Sequence, residues 1–252
     1  LVVQPEAVFT ETYPSIDFES SDSGLLAYDN LFGTGSWQVA ALNQKFPGQA
    51  DSQVVMTGLA QNYPDMERSY LLSEFYDLNL LEQPALSFDM SFELETNWDL
   101  VYVQYSTDQG QTWQVLGSVN SIPNWYNSSR SPQSNQNDCY NCVGAQWTGE
   151  EPAYAQMTTY QYDFTANASI DKVDLSDQTD ILFRVVFHSD ESVNAKGVAI
   201  DNFKVFDLAN EKAPTDSFNL VAIDANCPDS ATGQIEIALL SPAPAGNYTV
   251  TL

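Results

Sequence analysis

The sequence predicts an all-β chain: an antiparallel β-sandwich of the jelly-roll kind, followed by the incomplete start of an Ig-like β-sandwich. Three observations carry this. Helical periodicity is nearly absent from the 252 residues. Apolar and polar residues alternate with a period of two in several runs. Polar, turn-rich stretches separate those runs, as they do in antiparallel architectures.

Taken in order, residues 1–15 read as a linker leaving a preceding domain, punctuated by Pro5 and Pro14. The jelly roll is expected over residues 16–209. An insertion from Asn30 to Asp51 holds Gly33, Gly35 and Gly48 together with Trp37 and Phe46. A strand is expected over Tyr70–Leu80. In the next, Leu86, Phe88, Met90, Phe92 and Leu94 alternate with Ser87, Asp89, Ser91 and Glu93. Val101, Val103 and Tyr105 continue the pattern within Leu100–Tyr105. A second insertion, about Ile122 to Pro152, is rich in Asn, Ser, Gln, Trp and Tyr, and a loop of that length in a compact domain is functional or disordered. Strands follow at Thr158–Phe164, at Ile181, Phe183, Val185 and Phe187, and at Ala199, Asp201, Phe203 and Val205. Residues 210–216 form a polar, Pro-containing linker. Beyond it, Phe218–Asp224, Gln234–Leu240 and Tyr248–Leu252 read as three strands, too few for an independent sandwich, so residues 217–252 are assigned to an incomplete Ig-like repeat.

The most specific short signal lies between two of these strands. Ser106-Thr107-Asp108-Gln109-Gly110-Gln111-Thr112-Trp113 is a full match to the Asp-box pattern S-x-D-x-G-x-x-W. Asp108 can accept from the loop's own N–H groups, Gly110 can take a positive φ, and Trp113 can cap the hairpin with a large apolar face. The chain has one copy, where sialidase-type propellers carry one per blade. The motif is therefore a structural turn between Leu100–Tyr105 and Thr112–Leu116.

Composition bounds the function. Eight Lys and Arg stand against 34 Asp and Glu, for a net charge of −26. Such a chain repels nucleic acid and anionic membrane. Aromatics make up 12%, too many for a disordered acidic tail. No apolar run reaches the ~18 residues of a membrane span, so direct membrane insertion is not expected. Carboxylate oxygens suit a hard cation such as Ca²⁺. The three cysteines lack four-Cys zinc spacing and a βαβ redox context. A local disulfide between Cys139 and Cys142 is expected, leaving Cys227 without a partner, as in a truncated second domain. Low Lys content and Asn-, Ser- and Tyr-rich loops point to a secreted or cell-surface protein. Asn127, Asn167 and Asn247 sit in N-x-S/T sequons.

Catalytic constellations are absent from the sequence. There is no H-E-x-x-H, and the single His188 rules out a two-His zinc site. No G-x-S-x-G elbow accompanies His188, Ser189 and Asp190. Glu93 and Glu95, and Glu150 and Glu151, lack the E-x-D-x-E spacing of concanavalin-like glucanases. Neither an enzyme nor any catalytic residue is expected. Arg184, among apolar strand residues, is expected to pair with a carboxylate. Trp125, Tyr126, Tyr140, Trp147 and Tyr154 lie on the second insertion with Asn124, Asn135, Asn137 and Asn141, the mixture of flat faces and amides that suits a sugar. The same rings could instead pin the loop to the sandwich.

The order of signals resembles a known group. Phe18-Glu19-Ser20, Ser36-Trp37, Ser69-Tyr70-Leu71-Leu72-Ser73 and Leu86-Ser87-Phe88-Asp89-Met90 precede the Asp-box. Trp147-Thr148-Gly149, Leu182-Phe183-Arg184-Val185-Val186-Phe187-His188-Ser189-Asp190 and Gly197-Val198-Ala199-Ile200-Asp201-Asn202 follow it. This set resembles the MAM-like, concanavalin A-type jelly-roll modules of secreted bacterial metalloproteases and of surface proteins exported by type IX secretion. The tail, with Asn226-Cys227-Pro228 and Gly246-Asn247-Tyr248-Thr249, resembles the start of repeats in adhesins of gliding bacteria.

The resemblance implies a non-catalytic adhesion or structural module of a large secreted or cell-surface protein. It also implies a structural Ca²⁺ where the first and last strands meet, held by Glu19 and Asp201. Asp201 lies in an otherwise apolar row, where an inward carboxylate needs a partner or a cation. Asp22, Asp89 and Asp190 are further candidates. Expected partners are glycan or surface protein at the loops and neighbouring domains of the same polypeptide. The alternative is an accessory domain of a secreted protease or glycoside hydrolase whose catalytic domain lies outside these residues.

Overall fold

A computed structural model describes residues 13–19, 24–31, 33, 35–46, 52–132, 139–150, 157–210, 218–223 and 234–239. The expected positions Asp22, Tyr154, Asn135, Asn137, Cys227, Asn247 and the strand Tyr248–Leu252 lie outside these residues. The chain falls into two compact units, Leu1–Asp207 and Leu208–Leu252.

The first unit is an antiparallel β-sandwich. One sheet has five strands in the order β1 (Leu26–Asp29), β4 (Arg68–Tyr76), β10 (Ile181–His188), β6 (Leu100–Ser106) and β7 (Gln114–Val115). The other has six, in the order β2 (Trp37–Ala41), β3 (Gln53–Thr57), β11 (Gly197–Asp207), β5 (Pro84–Glu93), β9 (Thr158–Asp163) and β8 (Pro123–Asn124). Most neighbouring strands are not consecutive in the chain. An antiparallel bridge, Ile16↔Phe203, lays the first described segment beside β11. In the second unit β12 (Phe218–Ile223) and β13 (Gln234–Leu239) form an antiparallel hairpin.

The alternating rows fill the space between the sheets. Leu86, Phe88, Met90 and Phe92 of β5 and Leu94 just after it are buried, as are Phe183, Val185 and Phe187 of β10. Phe88 is a hub, in ring contact with Trp125, Trp147, Tyr160 and Phe203. A smaller apolar cluster gathers Ala40, Leu42, Phe46, Val54, Met56 and Ala199.

Three features differ from the sequence reading. The row Ala199, Asp201, Phe203, Val205 is not continuous. The β11–β5 register shifts between Asp201 and Lys204, and Asn202 takes φ 50°. This bulge reverses the facing of the strand. Val198, Ile200, Phe203 and Val205 join the main core, whereas Ala199 joins the small cluster. Asp201 therefore stands opposite Asp89 and out of the main core. Second, β2 lies within the stretch expected as insertion. Third, a helix, α1 (Phe164–Asp171), follows β9. Asp163 caps it by accepting from the Ala166 N–H at 2.9 Å.

Candidate functional site

Where β4 begins and β10 ends, the register pairs Arg68 with His188, and His188 with Leu100 of β6. Three neighbouring strands thus share an edge, and the segments beyond it converge. They enclose a cavity of about 790 Å³, inside the roughly 300–1,000 Å³ span of small-molecule sites. Arg68 and His188 line it from the sheet, Glu95 and Trp98 from the β5–β6 turn, Tyr140 and Asn141 from the segment of the Cys139–Cys142 disulfide, and Asp190 from beyond β10. Met66 and Tyr140, which also line it, are each 77% exposed.

The walls are zipped together. Met66 N–H donates to the Asp190 carbonyl at 2.6 Å, and Ser189 N–H to the Glu67 carbonyl at 3.0 Å. Ser189 Oγ accepts from Glu67 N–H and donates to the Pro64 carbonyl. Met66 takes φ 55°, and Val193 and Asn97, just beyond the lining, take φ 64° and 69°. Non-glycine residues rarely adopt such values, and a β-branched one least of all. Strained backbone of this kind gathers at binding sites.

Beneath the cavity lies an acidic group. Oxygens of Glu95, Asp99 and Asp190 come within 4.8 Å of one another. Asp99 is fully buried, accepting from Asp190 N–H at 2.7 Å and from the Tyr63 hydroxyl. Burial pushes its carboxyl up to about 6, against the pull of those two hydrogen bonds. Burial, with Asp190 nearby, also raises Glu95. Glu95 Oε2, Arg68 Nε and His188 Nδ1 are buried atoms without a hydrogen-bond partner. Burial pushes the His188 imidazole down to about 4, with Arg68 adding to the effect, so the ring is neutral at pH 7.

The metal ligands expected from sequence separate into two places. Asp190 belongs to the group just described. Glu19, Asp89 and Asp201 lie near one another in the second. Glu19 Oε1 accepts from Gln53 N–H at 2.8 Å. Asp89 accepts from the Thr159 hydroxyl at 2.5 Å and the Asn202 amide at 2.8 Å. Asp201, 6% exposed, accepts from Asn202 N–H at 2.8 Å. Burial pushes Asp201 up to about 6, opposed by that hydrogen bond and reinforced by Asp89, Glu19 and Asp17.

The aromatic set is corrected by burial. Trp125, Tyr126 and Trp147 are all buried, Trp147 completely. Trp147 lies 4.4 Å from the Tyr126 ring, 5.1 Å from Trp125 and 4.9 Å from Tyr160. Both indole N–H groups donate to carbonyls, Trp125 to Leu116 at 2.9 Å and Trp147 to Trp125 at 3.1 Å. Gly117 turns at φ 80°, and a Cβ there would stand 2.9 Å from Trp125 Nε1. These three rings pin the insertion to the core and cannot stack on a ligand. Tyr140 does reach solvent.

The Asp-box is a closed turn. Asp108 accepts from Thr112 N–H at 2.8 Å, the Thr112 hydroxyl at 2.5 Å and the Ser106 hydroxyl at 2.7 Å. Those bonds hold its carboxyl down at about 2, the Thr112 hydroxyl contributing most. Gly110 N–H donates to Ser106 Oγ at 2.9 Å, and Gly110 takes φ 83°. Trp113 folds back over the sheet, its ring 4.0 Å from the Arg184 guanidinium, which also lies 4.3 Å from the Tyr70 ring. Arg184 donates to Gln104 Oε1 and the Tyr28 hydroxyl, so amide, phenol and ring faces take the place of the expected carboxylate. Sequence reasoning passed over Trp98 and Asp99. The turn Asn97-Trp98-Asp99, an aromatic between two turn-forming residues, was the available signal.

No family model and no curated protein matches the sequence. Solved structures are similar to it in fold. The K1 cleaved adhesin domain of Lys-gingipain from Porphyromonas gingivalis W83 matches with TM-score 0.43 and 12% identity, covering 77% of this chain and 97% of that one. TmCBM61, solved with β-1,4-galactotriose, gives TM-score 0.41 and 11% identity, over 76% of this chain and 94% of its own. The family 30 carbohydrate-binding module of a Clostridium thermocellum cellulosomal cellulase gives TM-score 0.41 and 10% identity, over 79% of this chain and 100% of its own.

Proposed function

We propose that residues 16–209 form a non-catalytic adhesion or display module of a large secreted or cell-surface bacterial protein. It binds glycan in the cavity bounded by Trp98 and Tyr140, and Ca²⁺ stabilises it. The observation that supports the ligand reading most is the composition of that cavity. The rings of Trp98 and Tyr140 stand beside the amides of Asn30 and Asn141 and the carboxylates of Glu95 and Asp190, and a sugar offers both an apolar ring face and hydroxyls. The disulfide supports an oxidising compartment. Asp99 is wholly buried with both oxygens engaged, so it does not itself face a ligand.

The cation belongs at Glu19, Asp89 and Asp201. The donor type suits it: all are carboxylate oxygens, and the charged neighbours acting on the buried Asp201 carboxyl are themselves acidic, although among the described residues the oxygens that gather within 4.8 Å are those of Glu95, Asp99 and Asp190. A hard cation beside Asp201 would relieve the repulsion there. Glycan-array binding with and without Ca²⁺, together with melting temperature in Ca²⁺ and in EGTA, tests both parts. Retained glycans that are lost on Tyr140→Ala, and a higher melting temperature in Ca²⁺, are expected. Silence of the array in both conditions contradicts the binding reading, and an unchanged melting temperature contradicts the cation.

A further inference from the structure

We infer that Cys139 and Cys142 are positioning residues of the proposed glycan site: their disulfide holds Tyr140 and Asn141 ready at the cavity and contributes more to binding than to folding. This deepens the glycan-binding reading above and rests on it.

Tyr140 and Asn141 are the two residues between the bridged cysteines, and both line the cavity. Tyr140 is 77% exposed, whereas Cys139 and Cys142 are 1% and 4% exposed. Among the described residues no hydrogen bond holds Tyr140 or Asn141. What fixes the pair is the covalent ring, and that ring is seated on two sides. Its sulfurs lie against the β5–β6 turn, Cys139 Sγ 4.0 Å from the Trp98 carbonyl oxygen and Cys142 Sγ 3.7 Å from that of Asn97. Beyond Cys142, Val143 N–H donates to Gln146 Oε1 at 3.1 Å and Gly144 N–H to the Arg130 carbonyl at 2.9 Å. Trp147 then exchanges two backbone bonds with Val101. Trp98 and Tyr140 therefore share one support.

The bridge spans a sequence separation of three. The stabilisation a disulfide gains by restraining the unfolded chain grows with the loop it closes, so a loop this short stands near the low end. Its larger effect falls on the native state. Two residues that would otherwise order only on meeting a ligand are ordered beforehand, and the ordering cost avoided appears as affinity.

Backbone relaxation and titration calorimetry on the full chain test this, with neutral hexose oligomers as probes. The oxidised parent is compared with the parent reduced by dithiothreitol and with the paired variant Cys139→Ala, Cys142→Ala. Amide order parameters at Tyr140 and Asn141 are expected near about 0.85 in the oxidised parent and below about 0.6 in the other two forms. Binding is expected to weaken about tenfold or more in both, while the melting temperature falls by less than about 10 °C. Adding Tyr140→Ala to the paired variant is expected to cost little more, because both changes act through one side chain. The paired variant decides alone if the reductant does not reach the buried sulfurs. Order retained at Tyr140, binding unchanged in the paired variant, or full additivity of its loss with that of Tyr140→Ala overturns the positioning role and leaves the glycan site standing. A larger fall in melting temperature overturns it as well, since the bridge then serves the fold as a whole. No binding by the oxidised parent, or binding indifferent to Tyr140→Ala, overturns the glycan site itself and the inference with it.

Discussion

Asp99 and Asp108 show how far one residue type can be driven in opposite directions. Asp108 gathers donors at the surface and is held down at about 2. Its contribution to stability is present above the unfolded value of 3.8 and is lost as pH falls through 2. Asp99 is buried and pushed up to about 6. Its folded form binds a proton more readily than the unfolded chain, so its contribution is full below 3.8 and is lost as pH rises through about 6. In EGTA, the Asp99→Asn variant is expected to lose part of the rise in melting temperature that the parent shows as pH drops from about 6 to 4. Thermal melts across that range check it, and an unchanged pH profile contradicts it. At this scale the sequence was partly legible. The Asp-box declared its own hydrogen bonds, because every partner lies within a few residues. The rings of Trp125, Tyr126 and Trp147 did not declare their direction. Their neighbours Phe88 and Tyr160 come from other strands, and only the folded chain brings them together.

Among the elements, strands that bury one face were legible through their alternation. β5, β6 and β10 fall close to the expected limits for that reason. The bulge in β11 was hidden, since the row Ala199, Asp201, Phe203, Val205 reads as unbroken until Asn202 takes its left-handed turn. Helix α1 was hidden too. It is short and buries few side chains, chiefly Phe164 and Asn167, so it has no apolar stripe to detect. Its anchor is polar. Asn167, fully buried, accepts from Ile122 N–H at 2.8 Å and donates to the Ile122 carbonyl at 2.7 Å. That burial also leaves no room for a glycan on this sequon in the folded chain. Asn167→Ala leaves the Ile122 N–H without this partner, while the Ile122 carbonyl keeps the Asp163 N–H at 3.5 Å, and an unpaired group shielded from water costs about 1–3 kcal/mol. Denaturant unfolding is expected to show a loss of at least that size, and a loss below about 0.5 kcal/mol would mean water replaces the amide.

Across the whole first unit, two sheets close over an aromatic-rich core, and the cavity forms where β4, β6 and β10 share an edge. The sandwich could be read from the sequence because its signal is local and repeated. The cavity could not, because its walls come from segments near residues 30, 66, 97, 140 and 190 that only strand pairing assembles. Acidity acts at this scale as well: a net charge of −26 favours uncharged or cationic partners over anionic ones. The central claim is that the cavity is the place where a saccharide binds. Amide chemical-shift mapping during titration with a neutral hexose oligomer tests it most directly. Shifts confined to the segments around Arg68, Trp98, Tyr140 and His188 are the predicted result, and shifts centred on another face, or none at all, would contradict it.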